Sequence, residues 1–154
     1  MSKYNKLEQF YQNNKIKASF RNLNTKKKME DYCWQRQKFF NDKIGLNKQF
    51  FKDIDLLEFG PESGENSIAF AKKNANLTLV EPNNESCKRI KNYFSKFKLE
   101  NKLKIIIQTD FQNFRSKETF DFIDAEGFLA TIKPYSLWLK KIDGLLKNDG
   151  LFFI

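Results

Sequence analysis

Four apolar runs in this chain end on or beside an acidic residue, and those ends are where chemistry would be built. Leu56-Leu57-Glu58-Phe59 runs into a tight turn, Gly60-Pro61-Glu62-Ser63-Gly64, after which Glu65 opens a segment with helical spacing. Leu77-Thr78-Leu79-Val80-Glu81 stops at Pro82. The run at 103–108 is followed by Thr109-Asp110-Phe111, and Phe120-Asp121-Phe122-Ile123-Asp124-Ala125 by Glu126. Two glycines in the first turn let the backbone take φ > 0 and come close to a ligand. The amides that open the following helix can bind a carboxylate or another anion. The chain has no histidine, so histidine bases and histidine-ligated metals are excluded. Cys33 and Cys87 are too few and too far apart for a disulfide framework or a zinc site.

The elements that would position these residues alternate. Strands are predicted over 56–59, 77–81, 103–108 and 120–125, and a fifth opens at 151–154 after a turn at 147–150. Helices are predicted over 66–74, 85–97 and 134–146. In the second of these, Cys87, Ile90, Tyr93, Phe94 and Phe97 share one face. Strand–helix alternation with short connections predicts an α/β fold, a doubly wound and mostly parallel sheet with helices on both faces. Upstream, Met29, Tyr32, Cys33, Arg36, Phe39 and Phe40 recur at three- and four-residue steps and predict an amphipathic helix ended near Gly45. A short helix is also expected around Leu7, Phe10, Tyr11 and Asn14. The chain therefore divides into a basic helical extension, 1–52, and a ligand-binding domain, 53–154.

At 154 residues the chain is long enough for one domain with a real core. The net charge of +9 is confined to its first third, where residues 1–52 hold 13 Lys and Arg against 4 Asp and Glu. Residues 53–154 are balanced, with 15 of each. A basic segment of this kind suits a nucleic acid or a phosphorylated partner, and it also fits a chain rich in Lys, Asn, Ile and Phe throughout. No apolar run reaches the roughly 20 residues of a membrane span. The start of the chain lacks a signal-peptide apolar region, so the expected setting is cytoplasmic.

Taken together, the runs resemble the S-adenosylmethionine-dependent methyltransferases with a Rossmann-like sheet (class I), over about residues 54–154. Glu58-Phe59-Gly60-Pro61-Glu62-Ser63-Gly64 is similar to that family's first motif, acidic-x-Gly-x-Gly-x-Gly, with Glu62 where the family has glycine. The resemblance implies a cofactor site made of Glu58, Gly60, Pro61, Glu62, Gly64, Glu81, Pro82, Asp110, Phe111 and Asp124. In it Glu81 takes the ribose hydroxyls and Asp110 lies beside the adenine amino group. Phe120 to Ala125 and Leu145-Leu146-Lys147-Asn148-Asp149-Gly150-Leu151 are similar to the fourth-strand motif and the turn into the fifth strand. The residue types suit these roles: a carboxylate accepts from two vicinal hydroxyls or from an exocyclic amine.

A nicotinamide dinucleotide is the rival cofactor. Its loop needs Gly-x-Gly-x-x-Gly, and here two of those positions are Glu62 and Glu65, which a pyrophosphate disfavours. S-adenosyl-L-methionine has no phosphate and carries a positive sulfonium, so it is the expected cofactor. Methyl transfer from it depends on near-attack positioning and needs a base only for a protonated acceptor. Asp124 and Glu126, just past the fourth strand, are the candidate catalytic residues. Asp124-Ala125-Glu126-Gly127 lacks the Asp/Asn-Pro-Pro-aromatic signature of amino-DNA methylation, and neither cysteine lies near strand four. The expected activity is methylation of an oxygen or nitrogen of a small molecule or saccharide. The alternatives are an RNA methyltransferase docking through the basic segment, or an inactive cofactor-binding chain. Relative to the family's seven strands the sheet is expected to stop at strand five. That leaves an apolar edge for a partner chain, a homo-oligomer or further sequence to cover.

Overall fold

The computed structural model describes residues 23–127 and 134–154. The short helix expected around Leu7 to Asn14 lies outside the described residues. Helix α1 (Lys26–Phe39) starts where the hydroxyl of Thr25 accepts the Lys28 N–H at 3.3 Å. Its apolar stripe buries Met29, Tyr32 and Cys33, and it runs on as a π-helical turn, Phe40–Ile44. Gly45, at φ 80°, ends it where the sequence predicts. A 3₁₀ turn, Lys48–Phe51, is capped by the Asn47 side chain and delivers the chain to the sheet.

Five strands follow: β1 (Asp55–Phe59), β2 (Asn76–Val80), β3 (Leu103–Ile107), β4 (Phe120–Asp124) and β5 (Leu146–Phe153). All pair in parallel in the order β3-β2-β1-β4-β5. Helices α2 (Glu65–Ala71), α3 (Asn84–Phe97) and α4 (Tyr135–Asp143) connect them. The α/β expectation therefore holds, and strand order reverses between β1 and β4, the position at which open α/β sheets bind ligands.

One element differs from the sequence reading. Residues 147–150 are not a turn before the fifth strand but part of β5. A step from Phe120 to Phe122 on β4 is matched by a step from Leu146 to Leu151 on β5, so the expected turn is a bulge inside the strand. Gly150 makes this arrangement fit: a Cβ there would lie 2.9 Å from the Phe120 carbonyl oxygen.

The core forms two layers, one on each face of the sheet. Leu56, Leu77, Leu79 and Phe122 pack with α1, α2 and α3 through Met29, Phe40, Ile68, Phe70, Ile90 and Phe94. Leu57, Val80, Phe120 and Ile123 pack on the other side with Phe111, Phe114, Ile142 and Leu145. Side chains alternate between faces along a strand. Glu58, two residues past Leu56, and Asp124, two past Phe122, therefore lie on the α1–α2 face. Glu81, two past Leu79, continues the same side. Alternation alone brings the three strand-end carboxylates to one face, above a layer of phenylalanines. In that layer the rings of Phe40, Phe51, Phe70 and Phe122 stand 5.2–6.2 Å apart.

Candidate functional site

The glycine-containing turn folds as a strand-to-helix corner. Gly60 (φ 66°) and Gly64 (φ 86°) are both left-handed, and so is Glu62 (φ 51°). The glycine at 64 is demanded by packing as well: a Cβ there would stand 2.9 Å from Ile90 Cγ1 of α3. Gly60 N–H donates to the Val80 carbonyl at 3.0 Å, which pins the corner to β2. Pro61 is buried and the Glu62 side chain is exposed.

Glu81 is buried, and the backbone holds its carboxylate from two sides. Glu62 N–H donates to one oxygen at 3.1 Å and Asn83 N–H to the other at 2.9 Å. Pro82, between them, is half-buried. The first turn and the end of β2 are thus one unit. Asp110 accepts from the Asn113 N–H at 2.7 Å and from its side-chain amide at 2.8 Å, so here it caps the turn after β3. Phe111 is fully buried, 4.6 Å from the Phe59 ring and 4.8 Å from Trp138. Its side chain belongs to the core, and the residue as a whole is buried.

The second group of carboxyls is set differently. Glu58 and Asp124 are register partners on β1 and β4, and both are buried. Ser67, one turn into α2, donates its hydroxyl to Glu58 Oε2 at 2.5 Å. Asp124 Oδ1 accepts the Glu126 N–H at 3.1 Å, and Oδ2 is buried without a partner among the described residues. Burial, and then the charge of Asp124, holds Glu58 well above the usual carboxylate range. Burial, and then Glu126, pushes Asp124 up to about 7, against the opposing pull of Arg36. Two adjacent buried carboxyls cannot both be charged at little cost, so near neutrality the pair retains a proton.

Arg36 of α1 covers this pair. Its guanidinium makes a two-pronged contact with Glu126, Nη1–Oε1 at 3.2 Å and Nη2–Oε2 at 2.7 Å. It also lies 4.9 Å from the Phe40 ring centre and 5.4 Å from that of Phe39. Asn66 of α2 donates to the same Glu126 oxygen at 3.3 Å and accepts from the Tyr32 hydroxyl of α1. Four side chains from α1, α2 and the segment after β4 therefore close over the ends of β1 and β4. The structure brings the predicted catalytic pair Asp124 and Glu126 together, and brings Glu62 to Glu81. It sets Asp110 apart, on the turn beyond β3.

Sequence reasoning missed Asn66 and Ser67. The signal was two polar residues placed together before the apolar Ile68-Ala69-Phe70, one facing each carboxyl. Arg36 carried a plainer signal, as the one charged residue on the apolar stripe of α1.

The chemistry of the loop fits an adenosyl sulfonium better than a dinucleotide. Glu62 and Glu65 flank the turn, where a pyrophosphate would be repelled. Ser63 Oγ and Glu65 Oε1 are buried there without partners among the described residues, and such orphaned polar atoms suit the ammonium and carboxylate of an amino-acid-bearing ligand. Among the described residues no cluster of metal-ligating side chains occurs, and no helix is long and apolar enough to cross a membrane.

Comparisons with known proteins agree with that chemistry. A family model described as "Methyltransferase domain" matches residues 27–154. Coclaurine N-methyltransferase bound to N-methylheliamine and SAH superposes with a TM-score of 0.66 at 20% identity, over 78% of this chain and 34% of that one. A Methanococcus maripaludis protein assigned to the S-adenosyl-L-methionine-dependent methyltransferases has a TM-score of 0.67 at 14% identity, over 97% of this chain and 60% of that one. The glycopeptide N-methyltransferase MtfA gives 0.59 at 14% identity, over 76% and 54%. This chain thus spans between about a third and three-fifths of the length of these structures. No curated protein matches it. The family match, the parallel sheet and the acid-flanked glycine corner agree on one conclusion: the chain belongs to the class I S-adenosyl-L-methionine-dependent methyltransferases, and S-adenosyl-L-methionine is its cofactor.

Proposed function

We propose that the chain methylates an oxygen or nitrogen of a small molecule or saccharide, with the cofactor held by the corner at 58–64 together with Glu81 and Asp110. The observation that carries this reading is the placement of Glu58, Glu81 and Asp124 on one sheet face at the carboxyl ends of three neighbouring strands. When bound, the cofactor supplies a methyl group on a positively charged sulfur. The residues do the rest. Glu81, oriented by the Glu62 and Asn83 amides, accepts the ribose hydroxyls. Asp110 takes the adenine amine once it turns from Asn113. Pro82 flanks the same site and Phe111 backs it from the core, and Gly60, Pro61 and Gly64 keep the corner close. Asp124 and Glu126 face the acceptor and take its proton, a task for which a carboxyl near 7 is matched. Residues 1–52 act as a lid, since Tyr32 and Arg36 of α1 already reach across the site.

Calorimetric titration of the chain with S-adenosylhomocysteine tests this reading. Binding is expected, with a loss of about 100-fold for Glu81→Ala, the size of a removed charge-assisted pair. Absence of heat from the unaltered chain, or equal affinity in the variant, would sink it.

A second reading, methylation of RNA, draws support from α1. Lys26, Lys27 and Lys28 are exposed, and Trp34 is 64% exposed with the Lys38 ammonium 5.5 Å from its ring. It requires RNA affinity that falls steeply with salt, and salt-independent or absent binding removes it.

A further inference from the structure

The slot that Arg36 fills has the make-up of a cation site. Three carboxyls act on it: Glu126 in direct contact, and Asp124, bonded to the Glu126 N–H, with its register partner Glu58, through their charge. Two aromatic rings, Phe40 and Phe39, lie 4.9 and 5.4 Å from the guanidinium carbon. Carboxylates beside aromatic faces attract cations, and the attraction grows when water is excluded.

Two observations indicate that Arg36 is an imperfect occupant. Asp124 is 1% exposed and tied to Glu126 through the Glu126 N–H, and its Oδ2 is buried with no partner among the described residues. The Arg36 Nε is also buried and unpartnered there. A donor and an acceptor both stand unsatisfied at one site, although burying a polar group without a partner is costly. Native structures keep such groups where a ligand or a reaction uses them. A compact ammonium with three rotatable donors can reach Asp124 as well as Glu126, where a flat guanidinium does not.

We infer that the methyl acceptor is a primary or secondary amine that enters as its ammonium ion and takes the Arg36 slot between Glu126, Asp124 and the Phe39–Phe40 rings. This rests on the methyltransferase reading and narrows it from oxygen or nitrogen to nitrogen. An ammonium brings the positive charge that the three carboxyls lack once Arg36 withdraws. It then gives up one proton: an N–H bond breaks, its electron pair stays on nitrogen, and an O–H bond forms on the Asp124 carboxylate. The neutral amine left behind has the lone pair that methylation requires. A hydroxyl acceptor would leave the carboxyls uncompensated, and a carboxylate or phosphate acceptor would add to their charge.

The test uses the 154-residue chain loaded with S-adenosylhomocysteine and titrated with benzylamine, benzyl alcohol and benzoate, which carry one ring and three different charges. Chemical-shift perturbation reads the affinities. Benzylamine is expected to bind at least tenfold tighter than benzyl alcohol, with benzoate weakest. Glu126→Gln, at a partly exposed side chain where folding is not at stake, is expected to cut that preference about tenfold, and Asp124→Asn to cut it likewise. If the donor product binds but amine and alcohol are held equally, the amine inference falls and the methyltransferase reading stands. If the donor product does not bind, both fall. An amine preference indifferent to Glu126→Gln and Asp124→Asn would place the amine elsewhere and overturn the site.

Discussion

Glu81 and the Glu58–Asp124 pair are carboxyl groups on the same sheet face, buried to a similar degree, yet their surroundings are opposite. Glu81 has a backbone N–H on each oxygen, one from Glu62 and one from Asn83. Those donors come from the glycine corner after β1 and from the N-cap of α3, so its orientation is settled before any ligand arrives. Glu58 has a single hydroxyl and Asp124 has one amide and an empty oxygen; a neighbouring carboxylate worsens the position of each, Asp124 for Glu58 and Glu126 for Asp124. Burial with donors produces a recognition group that stays still, whereas burial without them produces a group that must hold or exchange a proton. Under the proposed function, the contrast divides cofactor holding at the end of β2 from proton handling at the ends of β1 and β4.

The largest effect expected from disturbing this contrast is a stability gain. An unfolded Asp ionises near 4, while folded Asp124 does so at about 7. Between those values the folded chain keeps a proton that the unfolded chain has released. Stability therefore falls as pH rises from about 4 to about 7, and stays low above. Asp124→Asn removes that proton linkage and relieves Glu58. The variant is expected to be more stable by about 4 kcal/mol at pH 8, with the gain shrinking to nothing near pH 4. Urea unfolding at several pH values measures it. A variant that is less stable at pH 8, or a gain that does not depend on pH, would show that Asp124 is held as a charged partner of Arg36.

A smaller loss is expected at Ser67. Ser67→Ala deletes the one hydroxyl on Glu58 and leaves a buried oxygen bare, a cost of about 1 kcal/mol in urea unfolding. Ser63→Ala, whose hydroxyl is buried without a partner among the described residues, serves as the comparison. Removing an unbonded hydroxyl should cost less than removing a bonded one, and equal losses would mean that the Ser67 bond adds nothing.

The sheet was legible in the sequence because its signals are local. Apolar runs of strand length, glycine and proline punctuation and helical spacing each act within a few residues, and the structure follows them from β1 to α3. The fifth strand was misread because Lys147-Asn148-Asp149-Gly150 has turn chemistry, while its pairing with β4 depends on the close approach of Gly150 to Phe120, a contact 30 residues away along the chain. The acidic residues could be named from their place after apolar runs. What each would bind to could not, because Ser67, Asn66 and Arg36 reach them across separate elements. The Glu58–Asp124 pairing was similarly out of reach, since it depends on the register between two strands 66 residues apart.

The smallest expected effect concerns the residue that joins the glycine corner to Glu81. Glu62 holds φ 51°, a conformation in which a side chain costs about 1 kcal/mol relative to glycine. The backbone accepts that strain because the same turn directs Glu62 N–H at the Glu81 carboxylate. Glu62→Gly relieves the strain but also frees the unfolded chain, so the net gain should be about 0.5 kcal/mol. The amide remains in place, and affinity for S-adenosylhomocysteine should change less than threefold, in contrast to the loss expected at Glu81. If glycine instead weakened that affinity tenfold or more, the Glu62 side chain itself would have to contact the cofactor. The exposed carboxylate would then be counted with Glu81 as a recognition group.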